Sequence, residues 1–371
     1  MGHLDHRGRH RAGGGPRVRL PLTPLPHAAT EPLIARHRFT WAALGAACLA
    51  LASPGHAAEP RLAIEINEPA RLSHAEAIAI ARQAGATAIP LSLPWSALEP
   101  RAGAFDDEAL KGALELYRRA GLRVLLSIGI ADALGRQVPA DLVRVRWNDS
   151  RMISRLQGFL GRLLALTEDE LDYVILGHEL DSYLATQPRE WDDLRALADR
   201  VRTSVRQARP QAKFGVALTL GGLDDRAQRL TASHDVVAIT HYVVPRAEPG
   251  DPARLPGPIL DQALTFAGSR PLIVKEWGFP TGGAIGGSDR GQAEFIAASL
   301  AAWRERQARI PFFGLSRLYD DEDRECERLA SDGGLGGNAA FIALQCTIGL
   351  RTTEDEPKAA WSRVRAFGRP D

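Results

Sequence analysis

From Arg61 onward the chain alternates short apolar runs with amphipathic segments, and this alternation limits the folds open to it. The apolar runs are 62–66, 86–95, 123–130, 171–177, 213–220, 235–243, 271–278 and 311–319. Each has the length of one strand, and most are apolar throughout, as strands buried on both faces are. Helical patterns fall at 74–85, 106–121, 189–208, 291–307 and 356–367, with a further one running to Leu166. Their ends carry capping chemistry: an aspartate opens 106–121 and Gly121 closes it, and Asn148, Asp149 or Ser150 caps the helix that ends at Leu166. The sequon "NDS" at 148–150 reads better as that cap than as a glycosylation site. Eight strands, most followed by a helix, in roughly 310 residues fit a single (β/α)8 TIM barrel over 59–371. An open doubly wound sheet would carry a glycine-rich phosphate loop after its first strand, and "INEPARLS" (66–73) has none. The glycines at 282–287 and 333–337 read as flexible loops.

The first 58 residues read as a leader and a secretory signal peptide. Arg36 and Arg38 precede an apolar run from about Phe39 to Ala52, then Pro54, Gly55 and the small pair Ala57 and Ala58. The run is too short for a confident membrane span. Residues 1–35, rich in Gly, Arg and His, read as a disordered leader or a start placed too early. The expected location is secreted or periplasmic. Beyond the signal, Cys326 and Cys346 are the remaining cysteines and can pair in an oxidising compartment. A net charge of +1 gives no reason to expect nucleic acid. No CxxC or Cys/His zinc spacing is present.

In a barrel of this kind, chemistry gathers at the C-terminal strand ends. Strand one delivers Asn67 and Glu68 there, strand two Trp95, strand four His178 and Glu179, and strand six His241 and Tyr242. Strand seven delivers Glu276 and Trp277, and strand eight Arg317, Tyr319 and Asp320. Glu179 and Glu276 face each other across the mouth. Two opposed carboxyl groups are what glycosidic cleavage needs: one protonates the leaving oxygen, the other attacks the anomeric carbon or activates water. Trp95, Tyr242, Trp277 and Tyr319 suit the apolar faces of sugar rings. Alternation along strand seven predicts that Lys275 points outward if Glu276 points in.

These segments resemble the clan A, or 4/7, retaining glycoside hydrolases over most of the mature chain. "LSLPWSALEPRAGAFDDEAL" (91–110) is similar to the clan's strand-two segment, and "GHE" (177–179) lies where the clan carries its acid/base glutamate. "HYVVP" (241–245) sits where a tyrosine orients the nucleophile. "KEWGFPT" (275–281) is similar to the nucleophile motif, and "GLRTTEDEPKAAW" (349–361) to the C-terminal tail. The glutamates are 97 positions apart, a span that suits three βα units. The resemblance implies Glu179 as acid/base, Glu276 as nucleophile and Tyr242 as its hydrogen-bond donor. Trp95, His178, His241, Trp277 and Tyr319 would contact a carbohydrate substrate, with no cofactor. Much of the clan has Asn where this chain has His178; a His-Glu pair is more like family 26-type mannanases. Strand eight also lacks the tryptophan that many members place under the sugar.

Other readings of the same residues stay open. "NEP" (67–69) looks like an acid/base motif, but it ends strand one, so Glu68 reads as structural or sugar-contacting. Asp181 is a helix-start acid or a support for Glu179. His178, Glu179, His241 and Glu276 are chemically sufficient for a divalent metal in a sugar-converting barrel. A catalytically impaired, glycan-binding barrel is the non-enzyme reading. His74, His234, Trp303 and Trp361 read as packing.

Overall fold

The computed structural model describes residues 59–67, 72–332 and 334–368. The leader and signal reading of 1–58 and the role considered for Glu68 lie outside the described residues. Eight parallel strands close into a barrel: β1 Arg61–Ile64, β2 Ala88–Pro94, β3 Arg123–Gly129, β4 Leu171–Leu176, β5 Lys213–Thr219, β6 Val237–Tyr242, β7 Leu272–Gly278 and β8 Phe312–Leu315. Each pairs with its neighbour in chain order, and β1 closes the ring against β8. Helices follow every strand: α1 His74–Gln83, α2 Glu108–Arg119, α3 Ser150–Leu166, α4 Trp191–Ala208, α5 Asp225–Thr231, α6 Pro256–Ala267, α7 Asp289–Arg304 and α8 Ala359–Phe367.

Helix starts follow local chemistry. Ser73 and Glu76 form a reciprocal capping box at α1, and Asp149 accepts from the Arg151 amide at 2.8 Å to start α3. The helices α5 and α6 are additions to the sequence reading. The first is seven residues long, capped by Asp224, and the second opens on Pro256, Gly257 and Pro258, which mask its apolar face.

The core has two layers. Inside the barrel, Ala63, Ala88, Ala217 and Ala238 leave room for Tyr173 and Phe312, which meet edge-on with centroids 5.8 Å apart. Outside it, strands and helices enclose large side chains. Trp303 is buried and donates to the Ile310 carbonyl, and Trp361 is buried in the same layer, so both are packing residues. Each such side chain contributes ~1.5–3 kcal/mol by leaving water.

After β8 the helices Asp323–Asp332 and Ala339–Thr347 form an insertion at the mouth, joined by a disulfide between Cys326 and Cys346. Lys358 donates to Asp320 (2.7 Å) and to the Thr347 carbonyl (3.1 Å), tying the C-terminal tail to this insertion. The bridge spans 20 positions, and closing a loop of that size restricts the unfolded chain. Replacing both cysteines by serine is expected to lower unfolding free energy by about 3 kcal/mol. Equilibrium denaturation of the two forms measures the loss.

Candidate active site

The site is built on β4, β6 and β7. Beyond Leu176 the chain keeps contact with β3, the Gly177 amide donating to the Ile128 carbonyl and the His178 amide to Ala131. Gly177 has φ +76°, and a Cβ there would meet the Leu180 side chain at 2.4 Å, so this turn needs glycine. Glu179 follows in the left-handed region, φ 51° and ψ 48°, which is uncommon for a residue with a side chain. That turn aims its carboxyl across the mouth, where Oε1 accepts from Thr240 Oγ1 at 2.9 Å. Asp181 accepts from the Thr219 amide (2.7 Å) and hydroxyl (2.6 Å), so it ties the Glu179 turn to the tip of β5.

The other half depends on an irregularity in β7. Ile273 lies in the barrel interior, so strict alternation would turn Glu276 outward. Instead the ladder slips by one residue: Ile239 pairs with Val274, and Thr240 pairs with Glu276. The same slip occurs against β8, between Phe313 and Leu315. This β-bulge puts Lys275 and Glu276 on the same side and returns Trp277 to the outside. Gly314 makes room for it, since a Cβ there would sit 2.2 Å from the Lys275 carbonyl oxygen. The expectation that Lys275 points outward is therefore corrected. Lys275 is fully buried, donates to Glu276 Oε1, and lies 2.9 Å from His178 Nδ1.

Around Glu276 the contacts are dense. Tyr242 donates to Oε2, and His178 Nδ1 lies 3.5 Å from Oε1. Ser316 extends the network by donating to Glu65 at 2.5 Å, and both neighbour the Tyr242 hydroxyl. His178 Nε2 lies 3.9 Å from Glu179 Oε1. One imidazole thus stands between the two carboxyl groups.

The two carboxyl groups are tuned apart. Burial pushes Glu179 up to about 7; the Glu276 charge adds to this, and the Thr240 hydroxyl opposes it. Burial alone would raise Glu276 too. The charges of His178, in the acid range where it carries its proton, and of Lys275, with hydrogen bonds from Lys275 and Tyr242, outweigh it and hold Glu276 below the usual carboxylate range. Burial lowers His178 to about 4; the Glu276 charge opposes this and Lys275 reinforces it, so at neutral pH the imidazole is neutral. Burial and the Glu276 charge keep Tyr242 protonated, consistent with its role as donor.

Raising Glu179 has a cost in stability. Below the unfolded carboxyl value of about 4.3 both states hold the proton. Between there and about 7 the unfolded chain ionises and the folded one does not, so stability falls as pH rises. Glu179→Gln is expected to gain stability relative to the native chain across that window, by up to roughly 3 kcal/mol. Denaturant midpoints of both forms at a series of pH values test the sign.

Glu179, Glu276, His178 and Tyr242 are brought together. Four other expected sugar contacts are not. Trp95 is fully buried, stacked on Phe159 and donating to Glu99 Oε2 at 2.8 Å. Trp277 is fully buried outside the barrel, stacked on Phe295 and donating to Ser299. Tyr319 has no exposed surface, its hydroxyl beside Asp355 and Arg351. Side chains without accessible surface cannot carry a sugar ring. His241 alternates with Thr240 and Tyr242, so it faces away from the mouth, against Trp277 and 3.6 Å from Glu248. The four side chains considered for a divalent cation therefore do not converge. Among the described residues no group of three or more His, Cys, Asp or Glu side chains is arranged to hold a metal, and no helix is long and apolar enough to cross a membrane. Asn67 binds the Tyr319 backbone on both sides (2.8 and 2.9 Å), a structural tie. Thr240, Lys275, Ser316 and Glu65 were not anticipated as site residues. Thr240 was findable, since it shares the parity of Tyr242.

No family model matches the chain, and none of the curated proteins matches it. Solved structures do. An exo-β-1,4-mannosidase from Opitutaceae bacterium strain TAV5 superposes with a TM-score of 0.65 at 18% identity, over 84% of this chain and 59% of that one. A family 39 glycoside hydrolase from Bacteroides cellulosilyticus WH2 gives 0.61 at 16%, over 84% and 64%. A GH5_18 protein from Streptomyces cattleya, in complex with GlcNAc, gives 0.66 at 16%, over 83% and 79%. This chain thus spans less than two thirds of the first two. At such identities the likeness is one of fold: this chain and these glycoside hydrolases share the (β/α)8 barrel.

Proposed function

We propose that the chain is a retaining β-glycosidase, secreted or periplasmic, that cleaves O-glycosidic bonds without a cofactor. The observation that carries this is the opposite tuning of two carboxyl groups either side of one imidazole: Glu179 raised to about 7, Glu276 held low. Carboxyl groups pushed apart in this way divide into a proton donor and an anion. Glu276 attacks the anomeric carbon while Glu179 gives its proton to the departing oxygen. Glu179, now ionised, takes a proton from water, whose oxygen displaces Glu276 and restores the original configuration. Tyr242 and Lys275 hold the Glu276 carboxylate in place for attack.

The substrate reading follows from what lines the mouth. Trp95, Trp277 and Tyr319 are packed away, so the stacking surface for a long glycan is reduced, which favours a short oligosaccharide or glycoside. β-Mannosides are the first to try, since the similar folds include an exo-β-1,4-mannosidase and a GH5_18 variant in complex with Manβ1-4GlcNAc.

A hydrolysis panel of β-linked disaccharides and aryl glycosides, with Glu276→Ala as the blank, tests the reading. Cleavage should release a product whose first-formed anomer is β by NMR. A first-formed α anomer would refute retention. Binding without cleavage would give the site to a glycan-binding barrel instead.

A further inference from the structure

The bulge in β7 brings Glu276 into the interior beside a buried lysine, and that lysine's contacts are chemically one-sided. An ammonium has three donor hydrogens and no acceptor. Lys275 Nζ donates to Glu276 Oε1 and lies 2.9 Å from His178 Nδ1, so that nitrogen must offer its lone pair. The ring proton of a neutral His178 then sits on Nε2. That nitrogen is 3.9 Å from Glu179 Oε1, and the His178 side chain keeps 31% of its surface exposed, whereas Lys275 keeps none. Lys275 therefore reaches the mouth through His178 and does not touch what binds there.

We propose that Lys275 is a positioning residue that fixes the tautomer of His178, so that the imidazole presents Nε2–H as an uncharged donor to a sugar oxygen beside Glu179. The assignment rests on the glycosidase reading for its sugar, though not for the tautomer. An imidazole free to exchange tautomers would alternately offer the mouth a donor and an acceptor, and could accept the Glu179 proton needed by the leaving group. The lysine removes both options. The groups facing Glu276 are Lys275 from β7, His178 after β4, Tyr242 from β6 with Glu65 behind it, and Glu179 across the mouth. Lys275 thus touches both Glu276 and His178.

The test uses the full chain, uniformly labelled with nitrogen-15, with the His178 signals assigned by their loss in His178→Gln. Long-range proton–nitrogen spectra should find Nε2 protonated and Nδ1 bare at neutral pH. In Lys275→Met the proton should spread over both nitrogens, and the ring should titrate closer to its ordinary value of about 6.5. If native His178 carries its proton on Nδ1 or is an imidazolium at neutral pH, the proposal is overturned. An unchanged tautomer in Lys275→Met overturns it as well. Activity gives a second arm. Lys275→Met should lose on the order of 10²-fold in kcat/KM, with the acidic limb of its pH profile moved upward, and Lys275→Arg should recover part of both. A chain that hydrolyses no glycan ends the glycosidase reading, while the nitrogen spectra still decide the tautomer.

Discussion

Glu276→Ala is expected to lower kcat on β-glycosides by on the order of 10⁴–10⁶-fold, and added azide should restore turnover. The alanine leaves a space on the face of the sugar opposite the leaving group, bordered by Tyr242 and Lys275. Azide fits there as an external anion and attacks the anomeric carbon once. A single displacement inverts, so the product is the α-glycosyl azide. The buried ammonium of Lys275 makes the rescue physically reasonable, because removing Glu276 strands a positive charge, at about 3–5 kcal/mol. The variant should melt lower than the native protein, and azide should raise its melting temperature along with its rate. Restored activity with a β product would remove Glu276 from the nucleophile role.

Glu179→Ala should divide substrates by leaving group. For sugar or alkyl alcohols, which depart poorly without a proton, kcat/KM should fall by about 10²–10⁴-fold. For an activated aryl leaving group the first step should be nearly unaffected. The pH profile gives the complementary sign. The acid form of Glu179 is the working one, and it is lost above about 7, so native kcat/KM should decline with pH there. Glu276 sets the acidic limb, which lies lower than an ordinary carboxylate would put it. In Glu179→Gln the decline above neutrality should vanish. Persistence of the same basic limb would assign it to another group.

The barrel was legible because parallel strands covered on both faces leave apolar runs, and eight such runs in order have few other arrangements. Glu179 was legible because it follows closely on one apolar run, and Glu276 because it is an acid near the end of another. What the residues did not reveal was which way a strand-end side chain turns. An aromatic residue at a strand tip packs on a sugar or into the helix layer with equal ease. Trp95, Trp277 and Tyr319 took the second option, where Phe159, Phe295 and the Arg351–Asp355 pair await them. His241 followed simple alternation and could have been assigned outward from Tyr242 alone. Lys275 could not, because alternation holds only in a regular strand, and the bulge is marked mainly by a glycine on the neighbouring strand, Gly314.

The left-handed backbone at Glu179 carries an evolutionary consequence. Glycine adopts φ 51° without the Cβ penalty, roughly 1–2 kcal/mol for an L-residue, and it also discards a carboxyl that folding holds against its preferred charge. Mutation toward glycine at this codon is downhill for the fold and ruinous for acid catalysis. A lineage selected only for abundance would accept glycine here early, and its descendants would be sturdy barrels that still grip a sugar and no longer cut it. On the glycosidase reading proposed above, a glutamate here is kept for turnover against the grain of its own backbone.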